Sequence, residues 1–201
     1  MKIPFSFLLF IISICIVSSQ TTTVCNSGCD FTSIQTAVDS SKSGDRIFIK
    51  RGLYKESNII IYKKSLHIFG EEGTIIDTQN NGYGFSVEAT DIIIKKLTIK
   101  NIEVSYTKEY AAILLFKSYD FEIENITVEN AFFGFLIQKS KDGKIHNNTI
   151  SGEGLAEADS GNAIHLWHCE NIKITNNDVR RMRDGIYLEF GSNSYISGNY
   201  S

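Results

Sequence analysis

From Gly44 onward, apolar positions fall in short runs rich in Ile, Val, Phe and Tyr, separated by Asn, Gly, Asp and Lys. That pattern predicts short strands joined by turns, with little room for helices. The runs also repeat. The segment Thr90–Asn101 (TDIIIKKLTIKN) recurs as Tyr119–Asn130 (YDFEIENITVEN), 29 residues further on, and related copies lie at Lys141–Gly152, Cys169–Arg180 and Asn193–Ser201. One apolar position tracked through the copies reads Ile94, Ile123, Ile145, Ile174 and Ile196, with spacings of 29, 22, 29 and 22. The unit is therefore about 22 residues, and alternate units carry seven more.

A second strand keeps the same registry. Phe85, Ile113, Phe135, Ile164 and Ile186 form one column, each preceded by Gly or Ala, and Val87, Leu115, Ile137, Leu166 and Leu188 form another two residues on. A two-residue step places both columns on one face of a strand. Ile99, Val128, Ile150 and Val179 supply a third strand, and Asn148, Asn177 and Asn199 align at a turn. Aliphatic ladders repeated every 22 residues predict an all-β fold, a right-handed parallel β-helix of the pectin-lyase-like type, in which each coil buries its core against its neighbours. At roughly 4.8 Å per coil, five or six coils make a rod of about 25–30 Å. Because the final copy stops before its second strand, the β-helix domain at residues 20–201 is expected to be incomplete at its C-terminus.

Ahead of the repeats, Phe31, Ile34 and Val38 predict a helix over Asp30–Ser41 that caps the first coil, with Thr32 and Gln35 as a capping box. Residues 1–19 have a different character. Lys2 precedes an apolar run from Phe5 to Val17, and small residues at Val17-Ser18-Ser19 suit signal-peptide cleavage before Gln20. The run is shorter than the roughly 20 residues of a spanning helix. Cleavage leaves 19 basic against 23 acidic side chains, a net charge of −4. That balance lacks the basic footprint of a nucleic-acid binder. Export frames the cysteines: Cys15 leaves with the signal, Cys25 and Cys29 favour a local disulfide over a metal pair, and Cys169 stands unpaired.

Candidate chemistry lies on the outward positions of the second strand. One outward column reads Ser86, Leu114, Leu136, His165 and Tyr187, and the next reads Glu88, Phe116, Gln138, Trp167 and Glu189. Leu114, Phe116, Leu136, Trp167 and Tyr187 would make an apolar patch on a face expected to be polar, to be covered by loops, a missing coil or a partner. The seven-residue insertions, near Ile102–Tyr110 and Glu153–Ser160, share one corner and would bring Tyr106, Lys108, Glu109, Glu153, Glu157 and Asp159 toward Arg180, Arg181, Met182 and Arg183. A solvated charged edge is the bland reading of that corner.

His165, His168, Cys169 and Met182 are the candidate copper ligands, since imidazole and sulfur suit that metal. Strand geometry restrains the grouping: His165 and Cys169 would lie about 13 Å apart along an extended chain, and a shared ion would require a bend at His168. No catalytic residues are assigned. A glycosidase needs two carboxyls across one cleft, and Glu88 and Glu189 lie four coils apart, while the lyase candidates Arg183, Asp184 and Glu189 are better explained by a turn at Asp184-Gly185. The sequons headed by Asn125 and Asn147 belong to the repeat's turn; a third begins at Asn199.

Gly161-Asn-Ala-Ile-His-Leu-Trp-His168, followed by Arg183-Asp-Gly-Ile-Tyr-Leu-Glu-Phe190, together with Val104–Ile113, resembles the NosD family over about Val24 to the end. The resemblance implies a non-catalytic periplasmic β-helix that works with the ABC transporter subunits NosF and NosY, receives copper from the chaperone NosL, and assists assembly of the copper-sulfur centre of nitrous oxide reductase. Copper would be held transiently, if by this chain at all, and the apolar outward face would dock partners. A carbohydrate-active β-helix, lyase or hydrolase, is the alternative.

Overall fold

The computed structural model describes residues 19–105, 107–154 and 160–201. Of the insertion-corner residues, Tyr106, Glu157 and Asp159 lie outside the described residues, as do Lys2, Cys15 and nearly all of the signal segment. β1 (Thr21–Val24), α1 (Ile34–Ser40), β2 (Asp45–Ile49) and β3 (Gly52–Tyr54) open the fold. Triplets then follow as β4 (Ile59–Tyr62), β5 (Leu66–Gly70), β6 (Thr74–Asp77), β7 (Phe85–Glu88), β8 (Thr90–Lys95) and β9 (Thr98–Lys100). The next coils are β10 (Ala111–Phe116), β11 (Tyr119–Glu124), β12 (Thr127–Glu129), β13 (Phe133–Gln138), β14 (Lys141–His146) and β15 (Thr149–Ser151). The last strands are β16 (Asn162–Trp167), β17 (Glu170–Thr175), β18 (Asp178–Arg180), β19 (Asp184–Glu189) and β20 (Tyr195–Ser197).

Like strands stack in parallel into three sheets, β1-β2-β5-β8-β11-β14-β17-β20, β4-β7-β10-β13-β16-β19 and β3-β6-β9-β12-β15-β18. The molecule is a parallel β-helix of about seven turns, about 34 Å long at the interstrand spacing. The sequence expectation of five or six coils fell short because the strands before Phe85 carry less regular repeats. Pairings such as Ile113↔Phe85, Ile113↔Phe135, Phe135↔Ile164 and Ile164↔Ile186 place the inward columns in the predicted register. Each fully buried Ile in these ladders stabilises by about 1.5–3 kcal/mol relative to an exposed one, and Ile94, Ile99, Ile113, Ile123, Ile145 and Ile174 are all at 0% exposure.

Corners are turned by single residues in the left-handed region. Lys63, Lys117, Lys139, His168 and Phe190 form one such column, and Lys96, Asn125, Asn147, Asn176 and Gly198 another. Asn supports this conformation through its short polar side chain. Beside the second column, Asn148 and Asn177 are buried and bonded from coil to coil. The Asn148 main-chain N–H and its Nδ2 donate to Asn177 Oδ1 at 3.0 and 2.9 Å, while Asn177 Nδ2 donates to Ile145 O at 3.0 Å and Asn199 Oδ1 at 2.8 Å. The ladder thereby supplies partners to buried main-chain groups that the turn removes from the sheets.

The helix differs from expectation. It begins at Ile34, and its N-cap is Ser33, whose Oγ accepts from Thr36 N–H; Thr32 and Gln35 do not form the capping box. Glu56, distant in sequence, completes the cap by accepting from Ile34 N–H at 2.8 Å and Gln35 N–H at 3.1 Å. Ile34, Ala37 and Val38 face the core, so the helix lies over the first coil. Cys25 and Cys29 are joined in a disulfide.

Candidate functional site

The outer face of β10, β13, β16 and β19 carries the two outward columns in register: Leu114 pairs with Leu136, Leu136 with His165, and His165 with Tyr187. Its two ends differ. Leu136 is 1% exposed, in a small external cluster with Ala111, Phe132 and Phe133, against which Tyr83 and Leu114 pack. Phe132 and Phe133 meet edge to face with ring centroids 5.1 Å apart, and Tyr83 meets Tyr110 likewise at 4.9 Å. Sequence reasoning missed this second core. The signal was Phe132-Phe133 just before the outward column.

Toward β19 the face opens. Tyr187 is 39% exposed, while Phe116 and Trp167 are half-buried. Lys139 Nζ stands 5.0 Å from the Trp167 ring centroid and 5.8 Å from that of Phe116, and Lys117 stands 4.9 Å from Phe116. Each cation lies over an aromatic face, where the ring quadrupole attracts it. His168 extends the aromatic strip, stacking on Phe190 at 4.7 Å and meeting Trp167 edge to face at 4.4 Å.

His165 sits beneath this strip at 8% exposure. Both of its ring nitrogens are buried without a hydrogen-bond partner. Its ring meets Tyr187 edge to face at 5.0 Å, and Nε2 lies 3.8 Å from Glu189 Oε2, too far for a hydrogen bond. Burial pushes the His165 pKa below the ordinary imidazole value; Glu109 and Glu189 pull it upward, and Arg183 adds to the lowering. Glu109, on the inserted segment before β10, accepts from Gln138 Nε2 at 3.4 Å. Arg183 donates to Asn162 Oδ1 at 2.8 Å and to Asp184 at 3.0 Å, and Arg180 pairs with Asp178.

The other sulfur and imidazole candidates are placed elsewhere. The chain does bend at His168, with φ 53°, and this turns Cys169 inward to 2% exposure. There Cys169 stacks in the corner column that Ser118 and Ser140 occupy in earlier coils, its Sγ donating to Ile137 O at 3.2 Å as Ser118 Oγ donates to Val87 O at 3.3 Å. Burial raises the thiol pKa, which opposes formation of the thiolate that ligates metals. Met182 packs against the main core after β18. His165, His168 and Cys169 thus form no group of three ligand atoms within 4.8 Å of one another among the described residues.

Among the described residues, three ligand atoms within 4.8 Å of one another occur at Glu122, Glu124 and His146, on the outer face of β11 and β14. Lys95 from β8 closes the group, donating to both carboxylates at 2.8 Å. His146 Nε2 lies 2.8 Å from Glu122 Oε1. Burial works to raise the Glu122 pKa, but its bonds to Lys95 and His146 outweigh it, and both glutamates are held below the ordinary carboxylate range. The column Lys95, Glu124, His146 was present in the repeat, at spacings of 29 and 22 residues.

Residues 106–201, which contain β10 to β20, match the family described as periplasmic copper-binding protein (NosD). The curated protein from Stutzerimonas stutzeri named "Probable ABC transporter binding protein NosD" is 27% identical over 117 residues, covering 57% of this chain and 27% of its own. The chain therefore spans about a quarter of that relative's length. Among solved structures, pectin methylesterase PemA from Erwinia chrysanthemi superposes with a TM-score of 0.60 at 17% identity, over 81% of this chain and 55% of that one. Pectin methylesterase from Aspergillus niger gives 0.61 at 13%, over 89% and 75%. At such identities these two show a shared pectin-lyase-like fold. The chain's C-terminal coils, residues 106–201, are thus similar to the NosD family, and the chain shares the fold of the pectin methylesterases.

Proposed function

We propose that this chain is part of an exported accessory protein of nitrous oxide reductase maturation, which works in the periplasm with an ABC transporter to assist copper delivery and copper-sulfur centre assembly. The observation that carries the reading is the family match over residues 106–201, and the relative's name adds the transporter. On this reading the protein is not an enzyme. Its part is to dock: Phe116, Trp167 and Tyr187 offer aromatic anchors at the open end of the β10-β13-β16-β19 face, with Leu114 and Leu136 supporting them from the adjoining apolar cluster. Such anchors dominate interfaces when they enter a partner's pocket. The partners are the NosF–NosY transporter, the chaperone NosL and the reductase, and copper passes among them as cargo.

The carbohydrate reading has less support from geometry. Glu88 and Glu189 stand four strands apart on one face, about 19 Å at the interstrand spacing, beyond the roughly 6.5–9.5 Å that an inverting carboxyl pair uses. The test is reconstitution of the full-length protein with its NosF–NosY transporter, followed by size-exclusion chromatography and affinity measurement. A stable complex weakened roughly tenfold or more by Trp167→Ala or Tyr187→Ala is expected. No complex, or cleavage of a polyuronate by the purified protein, would refute the reading.

A further inference from the structure

α1 has only seven residues, too few to persist by local propensity, and three side chains fasten it to a single strand and its flanks. Glu56, just before β4, accepts from Ile34 N–H and Gln35 N–H at the helix N-terminus and from Ser33 Oγ at 3.0 Å. Lys64, just after β4, donates to the Val38 and Asp39 carbonyl oxygens of the last turn, both at 3.0 Å. Each charge sits at the helix end whose partial charge it complements. Between them, Gln35 reaches β4 itself. Its Oε1 accepts from Ile60 N–H at 2.7 Å, and its Nε2 donates to Ile60 O at 3.3 Å. A further bond from Nε2 to Asp39 Oδ1 at 2.8 Å fixes the orientation of the amide.

That amide stands in for a missing strand. β4 ends the β4-β7-β10-β13-β16-β19 sheet, so on one side its main-chain groups have no strand to bond, and an open edge is a template for another chain. The Gln35 side chain satisfies the N–H and C=O of one residue together, as a neighbouring strand would. The edge it seals is otherwise suited to association, because the outward side chains of Ile60 and Tyr62 are 55% and 54% exposed.

We propose that α1 is a guard over the β4 edge, latched by Glu56, Gln35 and Lys64, and that release of the latch lets two copies of this chain pair through β4. The occupant is a second copy because identical edges complement each other. A two-fold axis sets β4 against β4 antiparallel, each strand supplying the donors that the other accepts. The pairing joins two six-stranded sheets and brings Ile60 and Tyr62 of both copies to one junction, where apolar cross-strand pairs add to the main-chain bonds. β4 lies at the far end of its sheet from β16 and β19, so the guard is independent of the docking face that carries Trp167 and Tyr187.

The test combines amide hydrogen exchange with light scattering on the full-length mature protein. In the wild type the Ile60 amide should be protected and the β4 edge unpaired with any second copy. Gln35→Ala, which keeps a good helix former in α1, should speed Ile60 exchange roughly tenfold or more. Gln35→Ala combined with Lys64→Met should give a concentration-dependent dimer. Adding Ile60→Lys to that pair should abolish the dimer, because a charge on an edge strand opposes pairing, and Ile60 is exposed, so the change spares the core. Lys64→Met alone leaves Gln35 in place and should speed Ile60 exchange by a smaller factor, which reads the latch even if Gln35→Ala fails to fold. Circular dichroism establishes that each variant folds. Unchanged Ile60 exchange in folded Gln35→Ala or Lys64→Met, no dimer in the folded double variant, or a dimer that survives Ile60→Lys overturns the proposal.

Discussion

Replacing Asn177 by Ala removes the central rung of the asparagine ladder. The side chain is 1% exposed and takes part in four bonds, accepting from Asn148 N–H and Asn148 Nδ2 and donating to Ile145 O and Asn199 Oδ1. The first three partner atoms belong to buried groups, where an unmet bond costs about 1–3 kcal/mol. Water can replace the bond to Asn199, which is half-buried. The expected loss is therefore at least about 3 kcal/mol, a large share of a typical 5–15 kcal/mol. Asn199→Ala, with better access to water, should cost less than half as much. Urea unfolding followed by the single tryptophan, Trp167, gives the free energies. Hydrogen exchange should show faster opening of Ile145–Asn177 amides, since coils are stabilised by their neighbours. A loss below about 1 kcal/mol for Asn177→Ala, or equal losses at the two positions, would refute the claim that these bonds hold the turn.

Three other outcomes follow from the structure. Lys95 helps hold Glu122 and Glu124 ionised, so the stability that this group adds is present above the unfolded carboxylate value near 4.5 and is lost as pH falls through the lower folded values; the melting-temperature difference between wild type and Lys95→Met should shrink as pH falls below 4.5. Cys169, buried and with a raised pKa, should be silent to a thiol-modifying reagent until the protein unfolds, and Cys169→Ser should cost no more than about 1 kcal/mol because Ser118 and Ser140 already fill that column. At Gly134 a Cβ would collide with the Ala163 carbonyl oxygen and the Ile150 side chain, so Gly134→Val should destabilise by about 2–3 kcal/mol, and an unchanged urea midpoint would contradict that packing.

The coil architecture was legible because its signal is periodic: Ile94, Ile123, Ile145 and Ile174 each need the same neighbour on either side, and the spacing records it. Features built from contacts without period were not. Ser33 is an ordinary serine until Glu56, 23 residues away, completes the cap, and Leu136 looks exposed until Phe132 and Phe133 fold over it. The column Lys95, Glu124, His146 obeys the repeat but mixes a cation, an acid and an imidazole, so a search for like residues passes over it. At Cys169 strand alternation was a poor guide because a left-handed residue, His168, intervenes.

Left-handed residues at the corners have a consequence for how the rod can change in length. A corner residue absorbs the turn, so the strands on either side keep their own inward faces. An insertion placed where the corner loops already vary leaves every ladder aligned, as the seven extra residues of alternate coils do. A single residue gained or lost within a strand would instead invert its faces and strand the Ile column in water. Sequence drift in this molecule is thus channelled into whole modules and one elastic edge, and a designer lengthening the rod would copy 22- or 29-residue blocks and graft new loops at that edge alone.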